Sequence, residues 1–296
     1  MQSVGVLTRL GPTLVDLIAL TKPRVSSLVV ATAAVGMAVA PGRLHLGVAA
    51  AMLGATTVLV GAANALNSWM ERDADGAMPR TRQRPLPAGR LDGHLALGFA
   101  IVLALGALPV LAFAVNPLTF LLGLVSLVSY AGFYTPLKYR SSTALLVGAV
   151  PGALPPLMGW TAATAEFGAG GVALFAIVFL WQLPHVLGLS TYRRHEYAAA
   201  GVRALPTVRG PAVARRHAIA WAALLVPVAL WPVALGLGGR VYFGVALALG
   251  VAYLGAALLP LGPDGASADR WGRRLFLVSL LYLPLLFVSL VASAGA

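Results

Sequence analysis

The sequence predicts an all-α polytopic membrane protein: one domain over residues 1–296, nine transmembrane helices and a cytoplasmic N-terminus. Three observations carry that expectation. Charged residues make up 10% of the chain and hydrophobic ones 59%, against about 25% charged in soluble proteins, and the mean hydropathy is +0.86. Charge-free intervals long enough to span a bilayer recur along the chain. The Lys and Arg residues between them fall almost entirely in every second loop, as retention of positive charge in the cytoplasm requires.

A bilayer core takes about 20 apolar residues per helix. Intervals without Asp, Glu, Lys or Arg run over Val25–Gly42, His45–Met70, Gly93–Leu137, Ser141–Ala165, Phe167–Tyr192, His217–Gly239, Val241–Pro263 and Leu275–Ala296. The third is long enough for two helices, and Asn116-Pro117 is a turn signal that divides it. Ahead of the first span, residues 1–24 form a cytoplasmic or interfacial N-terminus. There Gly11-Pro12 followed by Leu14, Leu17 and Ile18, interrupted by Asp16, reads as a helix lying in the interface. Lys22 and Arg24 follow an apolar stretch rather than precede it, the wrong order for a cleaved signal, so no processing is expected.

With the N-terminus inside, the inner loops hold Arg72, Arg80, Arg82, Arg84 and Arg90; then Lys138 and Arg140; then Arg193, Arg194, Arg203, Arg209, Arg215 and Arg216; then Arg270, Arg273 and Arg274. Arg43 and Arg240 fall outside. One helix more or fewer would scramble this split. The two long inner loops, 71–92 and 193–216, lie four spans apart, a spacing compatible with an internal repeat of four helices plus a ninth.

Composition also excludes chemistry. There is no cysteine, which removes disulfides, thiolate zinc sites, iron–sulfur clusters and cysteine nucleophiles. The formal charge of +12 is accounted for by cytoplasmic loops in a lipid bilayer, so no nucleic acid partner is expected.

Of nine acidic residues, Glu71, Asp73 and Asp75 fall together at the inner end of the second span. Helical positions four apart share a face, so Asn67, Glu71 and Asp75 form an oxygen-bearing stripe, while Asp73 points away and joins it only if the helix unwinds. Magnesium takes a few carboxylates together with water and phosphate oxygens, which suits such a stripe for a metal bridging to a diphosphate. The plainer reading is a hydrated helix end. Arg80, Arg82 and Arg84 follow directly, and guanidinium matches phosphate oxygens bidentately. Lys138 and Arg140 sit on the same side; topology alone would also explain them. Asp75-Gly76-Ala77-Met78-Pro79-Arg80 with Gly89 partly matches a CDP-alcohol phosphotransferase motif, but Gly93 and Leu97 stand where that motif needs two further aspartates.

Several blocks in order resemble the UbiA superfamily of intramembrane prenyltransferases, and within it the branch that farnesylates protohaem. The superfamily pattern of Asn and two acids at four-residue steps is met by Asn67, Glu71 and Asp75. The haem branch is suggested by Leu20-Thr21-Lys22-Pro23-Arg24-Val25, by Arg72-Asp73-Ala74-Asp75 with Met78 and Arg80 to Leu86, and by Tyr134-Thr135-Pro136-Leu137-Lys138. Further along come Gly152 to Pro156 with Gly159-Trp160, Trp181-Gln182-Leu183-Pro184-His185, and Glu196-Tyr197 to Gly201 with Leu205-Pro206 and Val208. Glu71 and Glu196 replace the usual Asp, and Arg203 stands where Pro is usual.

The resemblance implies a UbiA-like bundle in the cell (inner) membrane with its site on the cytoplasmic side. It implies transfer of farnesyl from farnesyl diphosphate to a vinyl group of haem b, with water added, giving haem o, and Mg²⁺ as cofactor. The implied catalytic residues are Asn67, Glu71, Asp75 and Glu196, and the metal set is Asn67, Glu71, Asp73 and Asp75. Lys22, Arg72, Arg80, Arg84, Lys138 and Arg140 would bind the diphosphate. Trp181, Gln182 and His185 would bind haem, His185 standing out as an ionisable group within an apolar span; a hydrogen bond to a carbonyl freed by Pro184 is its plainer explanation. Partners that oxidise haem o or assemble a terminal oxidase belong to the same expectation. An aromatic or quinone precursor is the alternative acceptor. A transporter would place its charges near the midplane, whereas these acids lie at one edge.

Overall fold

The computed structural model describes residues 13–42, 45–262 and 265–294, and among these the regular structure is helical, with no strand. The long helices are α1 (Pro23–Val39), α2 (Leu46–Met70), α3 (Gly93–Val110, continued by a π-helical turn, Leu111–Val115), α4 (Pro117–Leu127, continued by a π-helical turn, Val128–Tyr134, and by Thr135–Leu137), α5 (Ala144–Thr164), α6 (Ala169–Tyr192), α7 (Pro211–Ala234), α8 (Arg240–Leu258) and α9 (Gly265–Ala294). Eight of these are long and apolar enough to cross a membrane, and α1, with 17 residues, is the shorter exception. The expected interfacial segment starts within residues 1–12, which lie outside the described residues, as does Arg43; residues 13–20 are helical.

Helix ends follow local chemistry. Asn116 divides α3 from α4 as expected: its side-chain oxygen accepts the Thr119 N–H at 2.8 Å while Pro117 takes the first helical position, where a missing N–H costs nothing. Asp92 caps α3 by accepting from Leu95 and His94 N–H at 3.0 and 2.9 Å, and these bonds hold its carboxyl below the usual range. Two boundaries differ from expectation. α7 begins at Pro211 rather than His217 and α9 at Gly265 rather than Leu275, so Arg215, Arg216, Arg270, Arg273 and Arg274 ride on helices. A charge-free interval marks only the lipid-bathed part of a helix, and long Arg stems let it run on into the interface. Arg215 shows this by donating to the Leu258 and Leu259 carbonyls at 2.6 and 2.8 Å, at the otherwise open end of α8.

The bundle has two main apolar cores. One joins α1–α5 through residues such as Met37, Met52, Leu111, Leu122 and Met158. The other joins α5–α9 through Leu174, Ile177, Leu225, Tyr253 and Leu286. α5 belongs to both. Without a strong solvent-driven term in lipid, helices associate by close packing, and here backbones touch: a Cβ on Gly36 of α1 would strike the Pro156 carbonyl, and one on Gly159 of α5 the Ala33 carbonyl. α5 carries Pro151, Pro155 and Pro156. Pro155 removes the N–H that would bond to the Pro151 carbonyl, and Ser126 Oγ of α4 donates to that carbonyl instead, at 3.3 Å.

Candidate active site

α2 stops at Met70 and Glu71 leaves helical geometry before a short helix, Arg72–Gly76, begins. Backbone bonds from Glu71 N–H to the Asn67 carbonyl (3.0 Å) and from Asp75 N–H to the Glu71 carbonyl (2.8 Å) carry the four-residue step across that joint. Asn67, Glu71 and Asp75 are accordingly all buried, at 3%, 6% and 2% exposure. Each meets a cation brought from elsewhere in the chain. Lys138 Nζ pairs with Glu71 Oε1, Arg84 with Asp75 Oδ2 at 2.6 Å, and Lys22 Nζ donates to Asn67 Oδ1 at 2.8 Å. Asn67 Nδ2 donates in turn to Thr135 Oγ1 at 3.3 Å. Buried carboxylates persist only when paired, and this arrangement satisfies that demand.

Lys22 reaches Asn67 because its backbone is left-handed, φ 51°, a conformation that costs a non-glycine residue of order 1 kcal/mol. Asn64 pins the surrounding turn, donating from Nδ2 to the Thr21 carbonyl at 3.2 Å and to Ser26 Oγ at 3.1 Å. Burial, then the neighbouring Arg84 charge, pulls the Lys22 ammonium down from 10.5 to about 8.

These groups stand at the mouth of a cavity of about 410 Å³. Lys22, Arg80, Arg84, Lys138 and Arg203 line it against two carboxylates, Glu71 and Asp75, a surplus of positive charge. Tyr134 and Tyr139 flank Lys138 Nζ at 5.8 and 5.4 Å from their ring centres. Farther in, Val25, Val29, Leu59, Met158 and Leu187 give an apolar wall. The loop after α6 closes the other side with Tyr197 and Arg203; burial pushes the Tyr197 phenol up. Glu196 does not line the cavity. It holds Arg193 at 2.5 Å and stands 3.9 Å from Arg80 Nε, and its hydrogen bond raises the Arg193 pKa.

The structure thus brings together Lys22, Asn67, Glu71, Asp75, Arg80, Arg84 and Lys138, and corrects several expectations. Asp73 is 92% exposed and pairs with Arg72 at 3.8 Å on the surface. The break at Glu71 is followed at once by a new helical turn, which keeps Asp73 off the stripe. Arg72 faces outward too, its guanidinium 5.6 Å over the Trp69 ring. Arg140 is exposed and outside the cavity wall. Of the expected haem set, Gln182 lines the cavity, its Nε2 donating to the Ala149 carbonyl at 2.7 Å. Trp181 and His185 share a different face of α6: they stack at 4.8 Å and bond to Ser279 of α9, through Trp181 Nε1 to the carbonyl at 2.9 Å and His185 Nδ1 with Oγ at 2.6 Å. Tyr130, Tyr139, Tyr197 and Arg203 line the cavity as well and were not expected as site residues. Tyr130 was findable, being four residues before Tyr134 on the same helix.

Among the described residues no three acids or imidazoles converge into a metal-binding group, so a metal here would need ligands from a substrate. Two buried carboxylates and an amide beside surplus cations fit a magnesium ion completed by phosphate oxygens.

A helical membrane bundle that sets buried acids and excess cations at one mouth of a greasy cavity is a membrane-embedded enzyme for an anionic, lipid-tailed substrate. The chain belongs to the UbiA prenyltransferase family, whose profile matches residues 29–292. It is 54% identical over 279 residues to a protoheme IX farnesyltransferase of Anaeromyxobacter sp. (strain Fw109-5), covering 94% of this chain and 93% of that one. To the enzyme of the same name from Myxococcus xanthus (strain DK1622) it is 49% identical over 278 residues, 93% of each chain. A structure of digeranylgeranylglyceryl phosphate synthase superposes with a TM-score of 0.78 at 15% identity, covering 97% of this chain and 99% of that one. A UbiA homologue from Archaeoglobus fulgidus bound to DMAPP and Mg²⁺ does so with a TM-score of 0.71 at 17% identity, over 92% and 99%. These two likenesses establish the fold.

Proposed function

We propose that this chain transfers the farnesyl group of farnesyl diphosphate to a vinyl group of haem b, with addition of water, releasing diphosphate and haem o. The observation that carries the reading is the pairing of Glu71 with Lys138 and Asp75 with Arg84 at the polar mouth of an apolar cavity. The relatives named above, protoheme IX farnesyltransferases over most of their length, support the choice of substrates.

The reaction breaks an allylic C–O bond, and negative charge gathers on the departing diphosphate. Lys22, Arg80, Arg84 and Lys138 are positioned to take that charge, with donors fixed before the reaction begins. A Mg²⁺ ion held by Asn67, Glu71 and Asp75 would supply further neutralisation of the diphosphate oxygens. Val25, Val29, Leu59 and Met158 keep bulk water from the prenyl chain as it becomes cationic. The vinyl π electrons then form the new C–C bond, and water captures the resulting cation at the porphyrin-bearing carbon, losing a proton. No covalent enzyme intermediate enters this scheme. The reading includes nine spans, a cytoplasmic N-terminus, the inner membrane with the cavity mouth toward the cytoplasm, and membrane partners that oxidise haem o or assemble a terminal oxidase.

The test is product mass. Vesicles containing the protein, supplied with haem b, farnesyl diphosphate and Mg²⁺, should yield a farnesylated hydroxyethyl haem, and a chelator should stop its formation. A prenylated quinone precursor, with haem left unchanged, overturns the reading.

A further inference from the structure

The cavity cations are not equivalent. Lys22 is bonded to Asn67, Arg84 to Asp75 and Lys138 to Glu71, while Arg80 stands near Glu196. Arg203 lines the same cavity, yet among the described residues its guanidinium has no acidic or amide partner. Its backbone, by contrast, is fixed. The Arg203 N–H donates to the Lys138 carbonyl at 2.9 Å and the Val202 N–H to the Tyr197 carbonyl at 2.9 Å. Thr207 Oγ1 donates to the carbonyls on either side, Val202 at 3.2 Å and Ala204 at 2.7 Å. Gly201, at φ 71°, permits the turn that leads into this segment.

The surroundings of Arg203 differ from those of the other cations. Its backbone bond to the Lys138 carbonyl sets it beside the turn 138–142, which lines the cavity with Tyr139, Ser141 and Ser142, the Ser141 hydroxyl being bonded to Thr143, and brings no carboxylate. Its neighbours Ala204 and Leu205 continue the wall toward α6, where Val186 and Leu187 are apolar. An exposed, unpaired guanidinium on a fixed backbone, at the rim of an apolar wall, suits a carboxylate on an otherwise greasy, planar molecule.

We propose that Arg203 is a specificity residue that binds a propionate of the porphyrin acceptor, leaving the diphosphate to the cations engaged with Asn67, Glu71 and Asp75. This rests on the haem reading given above and names how the acceptor is oriented. The carboxylate is held at the wet rim and the opposite, vinyl-bearing edge of the ring is sent toward the prenyl chain.

The experiment compares haem b with its propionate dimethyl ester in the wild type and in Arg203→Gln. Wild-type protein should show a KM about tenfold higher for the ester than for the free acid. Arg203→Gln should raise the KM for haem b by about the same factor, make acid and ester equivalent, and leave the KM for farnesyl diphosphate within about twofold. Arg203→Lys should recover part of the preference. A raised KM for farnesyl diphosphate, or an undiminished preference for the acid, overturns the proposal. If Arg203→Gln cannot be purified folded, equal KM values for acid and ester in the wild type overturn it just as well. Absorbance titration of each acceptor into the protein without farnesyl diphosphate reads the same preference as binding alone. If haem binds with that preference and is never farnesylated, the functional reading falls while Arg203 keeps its role.

Discussion

The two polar loops that meet over the cavity use similar residues in different ways. In the first, Glu71 and Asp75 are buried and answered by cations from other parts of the sequence or the far end of the loop, Lys138 and Arg84. In the second, Glu196 is held by Arg193, three residues before it, and only Arg80 reaches it from the first loop. The first loop is therefore a floor whose acids face the cavity. The second is a cover whose acid arranges basic side chains, and whose contribution to the cavity is Tyr197 and Arg203. What distinguishes an acid that lines the cavity from one that organises its neighbours is where the backbone turns it, not its type.

The sharpest way to break this comparison is to remove single charges from each loop. Asp75→Asn should lower turnover by about 10²–10³, whereas Asp73→Asn, on the surface two residues away, should stay within about twofold; similar kcat losses for both would erase the distinction. Glu196→Gln should act through Arg80 and Arg193, raising the KM for farnesyl diphosphate by about tenfold with a smaller change in kcat. A loss as large as that of Asp75→Asn would make it a floor residue.

The smallest effect concerns Lys22. With its pKa near 8 rather than 10.5, it loses its charge as pH rises through 8, and the KM for farnesyl diphosphate should climb by about fivefold between pH 7 and 9. The folded protein binds fewer protons than the unfolded chain between those two pKa values. Deprotonation therefore favours the folded state, so thermal stability without substrate should rise across the same interval. Lys22→Arg should flatten both curves. A KM that climbs while stability falls, or a KM that stays flat through pH 8, would contradict the assignment.

Much of this was legible in the sequence for a physical reason. Lipid forces long charge-free intervals, and those from His45 to Tyr192 located α2 to α6 to within a few residues, while α7 and α9 begin well ahead of theirs. The stripe of Asn67, Glu71 and Asp75 followed from the four-residue step alone. What stayed hidden depends on which way a helix is turned. Trp181, Gln182 and His185 are neighbours in sequence, but one turn of α6 sends Gln182 to the cavity and the other two to Ser279 of α9. Arg72 and Arg140 looked like Arg84 in composition; only the fold tells that they face outward. Arg203 was one basic loop residue among many until its backbone was seen tied to Lys138.

α5 is shared by both apolar cores, and that has a bearing on biogenesis. Its residues Leu154, Leu157 and Met158 complete the cluster formed by the four preceding helices, so those five segments can begin to pack once α5 has left the ribosome, while α6 is still emerging. The remaining helices have no such independence, because Ala153 and Trp160 of α5 are part of their cluster. Assembly is thus directional: an early half that closes its own cluster but for Phe175 of α6, and a late half that must find a finished surface to grow against.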